Sequence, residues 1–185
     1  MKTLNQKIVL LIVLSLGLIS CSSNDDGIIA EEEVMEMSEN PNEDQLFSAT
    51  INGEAFNPPN DFVAGSVAIE SGFYAIGIVA GVPTSTTTGK GIALAMIGLD
   101  FDALEVGEEW NLPATESPLD GATAGYIQDG IETDEIQEIS VVLTAIDKEE
   151  RTFSGTFRFI ALDEETNIIY TVTNGVFRDV LYDLN

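Results

Sequence analysis

The chain has 185 residues, with 32 acidic and seven basic side chains, no histidine, one cysteine and a formal net charge of −25 at pH 7. Such a charge repels nucleic-acid phosphates and anionic lipid headgroups. Without histidine, and with a single cysteine, the chain cannot form an internal disulfide, a zinc site built on His and Cys, or a Ser-His-Asp or Cys-His nucleophile.

The first element is an apolar run, Ile8 to Ile19, behind Lys2 and Lys7. A basic start, a short apolar segment and small residues before a cut form a secretory signal pattern. The run is too short for a bilayer span of about 20 residues. It ends in Leu18-Ile19-Ser20-Cys21, and Cys21 is the only cysteine. This ending resembles a bacterial lipoprotein signal. The resemblance implies cleavage before Cys21, so that 1–20 is a signal peptide, and acylation of the Cys21 thiol. Two or three acyl chains would hold the protein stably to a membrane, since each buried methylene contributes about 0.8 kcal/mol.

Residues 21–45 form the next segment. After Cys21, residues 22–45 hold nine acidic residues and no basic one. Low hydrophobicity and one sign of charge predict a disordered, extended tether. Ser22-Ser23-Asn24-Asp25-Asp26 resembles the acidic export signal of surface lipoproteins of Bacteroidota. That resemblance implies placement in the outer membrane, facing the outside of the cell.

From Leu46 onward the pattern is β, and 46–185 reads as one domain. Leu46 to Ile51 and Glu54-Ala55-Phe56 flank Asn52-Gly53, a strong signal for a two-residue hairpin turn. Phe62–Glu70 and Phe73–Val82 come next, joined at Ser71-Gly72. Both faces of 73–82 are apolar, which predicts a central strand. Gly91–Leu99 is placed to pair back on it. Asp100 to Glu109 reads as a turn or one helical turn, Trp110-Asn111-Leu112 as a short strand, and Ala122–Gln128 as another. Gln137–Asp147, Arg151–Leu162, Ile168–Thr173 and Val176–Tyr182 complete the chain. Asn174-Gly175 fits either a tight turn or a bulge inside one long strand, and the bulge is favoured because few residues remain to pair. Short strands, turns about every ten residues and no amphipathic helix predict an all-β fold: an antiparallel β-sandwich or flattened barrel of about eight to ten strands.

Three stretches carry a family resemblance: Phe47-Ser48-Ala49-Thr50-Ile51-Asn52-Gly53, Phe153-Ser154-Gly155-Thr156-Phe157-Arg158-Phe159 and Thr173-Asn174-Gly175-Val176-Phe177. They resemble uncharacterised Bacteroidota lipoproteins composed of a signal, a polar tether and one β domain. The resemblance implies architecture and location, and brings no catalytic motif.

Candidate sites are few. Asp100 and Asp102, with Glu105, Glu108 and Glu109, form the densest carboxylate group of the domain, and calcium takes six to eight such oxygens. The group lacks the EF-hand order, and a solvated acidic loop is the simpler reading. Asp163-Glu164-Glu165-Thr166-Asn167 is a second oxygen-rich stretch, better read as a hairpin turn. Asp129-Gly130, Glu132, Asp134 and Glu135 form a third. Trp110, Tyr74, Tyr126, Tyr170 and Tyr182 are candidates for a sugar or protein contact, against a simpler place in the core. Arg158 is expected to point outward and balance neighbouring acids. With so many acids, a pair of carboxylates identifies no glycosidase site. The sequence therefore predicts a non-enzymatic, lipid-anchored envelope protein that requires no cofactor and has a binding or structural role toward a protein or glycan, with a calcium-dependent ligand or glycan binder using the acidic loops as the alternative.

Overall fold

The computed structural model describes residues 44–85, 88–112, 120–133 and 135–185. The signal, Cys21, the tether as far as residue 43, most of the 113–120 loop and Asp134 lie outside the described residues. The folded part is the compact unit Gln45–Asn185.

Among the described residues, eleven strands form the unit: β1 Phe47–Ile51, β2 Glu54–Phe56, β3 Val63–Glu70, β4 Phe73–Pro83, β5 Gly89–Leu99, β6 Glu109–Asn111, β7 Gly121–Gln128, β8 Ile131–Glu132, β9 Glu135–Asp147, β10 Thr152–Asp163 and β11 Ile168–Leu184. Along the sheet the order is β6-β9-β10-β11-β3-β4-β5-β7, with β8 extending β7 and the β1–β2 hairpin attached to β11. β7 returns beside β6 and β9. Eight strands thus make a nearly closed barrel. The barrel is mixed rather than wholly antiparallel, because β11 runs parallel to β3, pairing Tyr182 with Gly65 and Leu184 with Val67.

Turn chemistry fixes the register. Asn52-Gly53, Ser71-Gly72 and Asp129-Gly130 each place two consecutive residues at positive φ, at 49° and 86°, 53° and 87°, and 53° and 88°. That conformation matches the twist of two-residue hairpins. They join β1 to β2, β3 to β4 and β7 to β8. The two longer turns are copies of each other. In one, Asp147 Oδ1 accepts the Glu149 and Glu150 amides at 2.9 and 2.8 Å; in the other, Asp163 Oδ1 accepts those of Glu165 and Thr166 at 3.0 and 3.1 Å. Each ends in a left-handed residue, Arg151 or Asn167.

Asn174-Gly175 is a bulge inside β11. Ser48 pairs with Val176 but Thr50 with Thr173, so Asn174-Gly175 oppose the single Ala49 of β1, and on the other side Thr173-Asn174 oppose the single Arg158 of β10. A second bulge lies at Arg178-Asp179 opposite Ser154, where the Asp179 amide donates to Ser154 Oγ at 2.9 Å. Each adds local twist and bend, and this curvature lets β10 and β11 wrap around the core.

Inward-facing positions alternate as the strand period requires. β4 buries Tyr74, Ile76, Ile78 and Ala80, while Phe73, Ala75, Gly77 and Val79 on its outer face are half-buried. β10 and β11 bury Phe153, Phe157, Phe159, Val172, Phe177 and Val180. The two ends of the barrel differ. At the end carrying the β3–β4 and β9–β10 turns, aromatic rings fill the interior: Tyr74 meets Phe101 with centroids 5.7 Å apart, and Phe153 stacks on Tyr182 at 5.4 Å. Phe101 lies in a 3-10 turn, Phe101–Ala103, held by Lys148, whose Nζ donates to the Asp102 carbonyl at 2.8 Å and lies 5.3 Å from the Phe101 ring centroid.

Candidate cavity at the open end of the barrel

The opposite end carries the β4–β5, β7–β8 and β10–β11 turns, and there the buried Ile51, Phe56 and Tyr126 adjoin an opening to the surface. A cavity of about 390 Å³ is lined by the β1–β2 hairpin, the start of β5, the end of β7 and the start of β11. Its walls include Asn52, Glu54, Lys90, Tyr126, Gln128 and Tyr170. Lys90 and Gln128 are cross-strand partners on β5 and β7, which places both side chains at the same level of the wall.

The β1–β2 hairpin forms one side of this cavity because Asn52 anchors it to β11. The Asn52 amide donates to the Thr171 carbonyl at 2.9 Å, and Asn52 Oδ1 accepts the Thr171 amide at 2.8 Å. Across the cavity, Lys90 Nζ stands 3.8 Å from Glu54 Oε2. Both side chains keep much of their exposure, so this pair contributes little stability. Its effect on the cavity is to oppose one positive charge with one negative.

Phe56, Tyr126 and Tyr170 form the aromatic part of the wall, and the two tyrosine ring centroids lie 4.7 Å apart with planes inclined by 51°. Tyr126 is buried and its hydroxyl donates to Gln128 Oε1 at 2.9 Å. Burial, reinforced by Tyr170, Asp129 and Glu54 nearby, pushes the Tyr126 phenol up to about 12. It is therefore a neutral donor across the physiological range. Tyr170 remains half-buried.

The acidic groups found in the sequence fall elsewhere. Asp100, Asp102 and Glu105 are exposed at the filled end, and Asp102 uses its backbone carbonyl, not its carboxylate, to hold Lys148. Among the described residues no group of three or more acidic, Cys or His side chains converges as a metal site would require. Asp163 to Asn167 and Asp129-Gly130 are hairpin turns at the cavity end. Thr133 beside the latter is buried, its Oγ1 accepting the Tyr126 amide at 3.0 Å. Of the candidate aromatics, Trp110, Tyr74, Tyr126 and Tyr182 belong to the core and Tyr170 packs against it; Tyr126 and Tyr170 also line the cavity. Arg158 does point outward, 3.3 Å from Glu138 Oε1. Sequence reasoning missed the grouping of Asn52, Glu54, Lys90 and Gln128, which are far apart along the chain. The alternation of β5 and β7 offered one clue: Lys90 and Gln128 each lie in phase with the inward-facing residues of their strands.

Fold and site together define an all-β protein, a nearly closed mixed barrel with one end packed and one end open to a polar and aromatic cavity. Residues 95–181, from the middle of β5 into β11, match the family described as a domain of unknown function, DUF6252. Tyr126, Gln128 and Tyr170 lie inside the matched residues, and the β1–β2 hairpin and Lys90 lie before them. No curated protein and no solved structure gives a significant match.

Proposed function

We propose that this is a non-enzymatic, lipid-anchored protein of the cell envelope whose barrel binds a small ligand at its open end. The carrying observation is the open end of the barrel, where a cavity of about 390 Å³ combines apolar and aromatic walls, from Ile51, Ala55, Phe56, Tyr126 and Tyr170, with the polar Asn52, Glu54, Lys90 and Gln128. Pockets that bind small molecules are concave, with apolar walls and a few polar groups, and span about 300–1,000 Å³. Among the lining residues Glu54 is the single carboxylate, which favours binding over acid–base hydrolysis by a carboxylate pair.

The anchor rests on Leu18-Ile19-Ser20-Cys21. Acylated Cys21 holds the protein to the outer membrane, the acidic residues 22–45 act as spacer, and the barrel faces outward. In producing cells, an alkynyl fatty acid should label the wild type and not Cys21→Ala. Protease added to intact cells should remove the barrel and spare a periplasmic marker. A label that survives in Cys21→Ala overturns the anchor, and a protected barrel overturns the outward orientation. For binding, the full-length acylated protein in detergent is screened by ligand-observed NMR against a small-molecule fragment library. Hits should disappear in Tyr170→Ala; no Tyr170-dependent hit at all overturns the binding reading.

A further inference from the structure

From the chemistry of the cavity wall we infer that its ligand is a short, uncharged saccharide. The inference rests on the reading of the cavity as a binding site. Three observations lead to it. First, among the described residues that line the cavity the charges are one Lys90 and one Glu54, although the chain carries −25. Lys90 faces Glu54 at 3.8 Å, so an anionic ligand drawn to the ammonium meets the carboxylate, and a cationic ligand meets the reverse. A ligand with no charge avoids both costs.

Second, the wall keeps unused hydrogen-bonding capacity of both kinds. Gln128 Oε1 is taken by the Tyr126 hydroxyl, while Gln128 Nε2 and the Tyr170 hydroxyl have no protein partner among the described residues. Nε2 donates, the phenol both donates and accepts, Lys90 Nζ donates and Glu54 accepts. Saccharide hydroxyls do both, and a ring presenting several of them can satisfy such a mixed wall. A purely apolar ligand would cut these groups off from water and leave them unpaired.

Third, Tyr170, half-buried and packed on the buried Tyr126 ring, offers an apolar ring surface beside the donors. A sugar ring has one face of C–H groups and a rim of hydroxyls. The first suits a phenol ring, which is apolar in its body and polar at its tip, and the second suits Gln128, Lys90 and Glu54. At about 390 Å³ the cavity lies near the small end of ligand pockets, so the saccharide occupies it with one or two rings rather than as an extended polymer segment.

The test uses the full-length acylated protein in detergent. It is titrated with neutral di- and trisaccharides of glucose, galactose, mannose, xylose and N-acetylglucosamine, with uronic acid oligomers as anionic probes and glucosamine oligomers as cationic ones. Saturation-transfer NMR and calorimetry give the affinities. A neutral saccharide should bind more tightly than every charged probe. Tyr170→Ala should weaken it about tenfold or more, in the range of an aromatic anchor, and Gln128→Ala should also weaken it. Lys148→Ala, at the filled end, should leave binding unchanged. Circular dichroism and melting curves of each variant identify loss of binding through loss of fold, and Gln128→Leu provides a variant of similar volume. Tighter binding of a charged probe, or no binding of any neutral saccharide, overturns the inference. In that event, fragment hits that still depend on Tyr170 leave the cavity as a binding site with another ligand class, whereas their absence removes both readings.

Discussion

The ring of Phe177 lies over Gly155, its cross-strand partner, in the space that any larger residue at 155 would fill. The relationship is repeated one step along the same strand pair, where Phe157 covers Gly175. Together the two Phe–Gly pairs cross-link β10 and β11 on the core side. Glycine weakens a strand by its freedom and its lack of a packing group. An aromatic ring laid over it restores the missing contact. The same pairing explains why phenylalanine and glycine alternate in Phe153-Ser154-Gly155-Thr156-Phe157 and recur in Asn174-Gly175-Val176-Phe177.

At Gly175 a methyl group would approach the Phe157 ring to 2.6 Å, with ring carbons its three nearest neighbours. Gly175→Ala should therefore lower stability by about 1–3 kcal/mol, the usual cost of overpacking. In a Phe157→Leu background the same change should cost clearly less, because the obstructing ring is gone. Urea unfolding of the four members of this cycle measures the coupling. Equal costs in both backgrounds would refute the Phe–Gly pairing as the cause. Gly155→Ala should be less forgiving, since its methyl would also meet the backbone carbonyl of Val142 at 2.5 Å.

Much of this architecture was legible in the sequence because it is written in local chemistry. Asn52-Gly53 and Ser71-Gly72 announce their turns by accepting positive φ, β9 and β10 announce themselves by alternation, and β4 and β5 by apolar runs between turn residues. Asn174-Gly175 was readable as a bulge from the shortage of residues to pair. The parallel β11–β3 contact had no local signal, since it joins Tyr182 to Gly65 across most of the chain. Closure of the barrel depends on bulges such as Arg178-Asp179, where Asp179 adopts φ 46° without a glycine to mark it. The cavity was illegible for the same reason. Its wall draws Asn52 from a turn, Lys90 and Gln128 from paired strands, and Tyr170 from a strand start. The acidic clusters, by contrast, were conspicuous in sequence because their members are neighbours in the chain, and the fold leaves Asp100, Asp102 and Glu105 exposed and turns Asp163 onto its own hairpin.

Asp163 gives a pH-dependent prediction. Its carboxylate accepts the Thr166 hydroxyl and the amides of Thr166 and Glu165, and these bonds hold its pKa below the ordinary carboxylate value. Its own turn covers it almost completely, although that turn is a surface hairpin. A depressed folded pKa stabilises the native state above the unfolded value of about 3.9, and the contribution disappears as pH falls through the folded value. Melting temperature measured from pH 6 downward should therefore decline more steeply in the wild type than in Asp163→Asn below about pH 4. Parallel curves would show that the turn does not favour the charged form.

Calcium dependence is decided by the same kind of melting experiment at neutral pH. Asp100, Asp102 and Glu105 are exposed, and Asp100 sits at φ 60° where the chain leaves β5 for the 3-10 turn. A ligand that binds the folded state raises the melting temperature by mass action. The melting temperature should be the same in millimolar calcium and in excess chelator. A saturable rise with calcium that vanishes in Asp102→Asn would assign this loop a metal and displace the cavity as the primary site.

Alkaline titration probes both ends of the barrel at once. Tyr74 at the filled end and Tyr126 at the cavity are each pushed up to about 12, chiefly by burial. The fold thus prefers both phenols protonated. Their contribution is complete below the unfolded value of 10.0, where native and unfolded chains alike hold the proton. It is lost as pH rises through about 12, where the unfolded chain has already ionised. Phenolate absorbance near pH 11 should therefore fall short of four tyrosines while circular dichroism remains native, and Tyr126→Phe should remove one late-titrating group. A saccharide seated against Tyr126 and Tyr170 excludes more water from the phenol, so saturating ligand should delay the Tyr126 step further and leave that of Tyr74 in place. If all four tyrosines ionise together near pH 10 in a folded protein, Tyr126 is solvated and water reaches through the cavity wall.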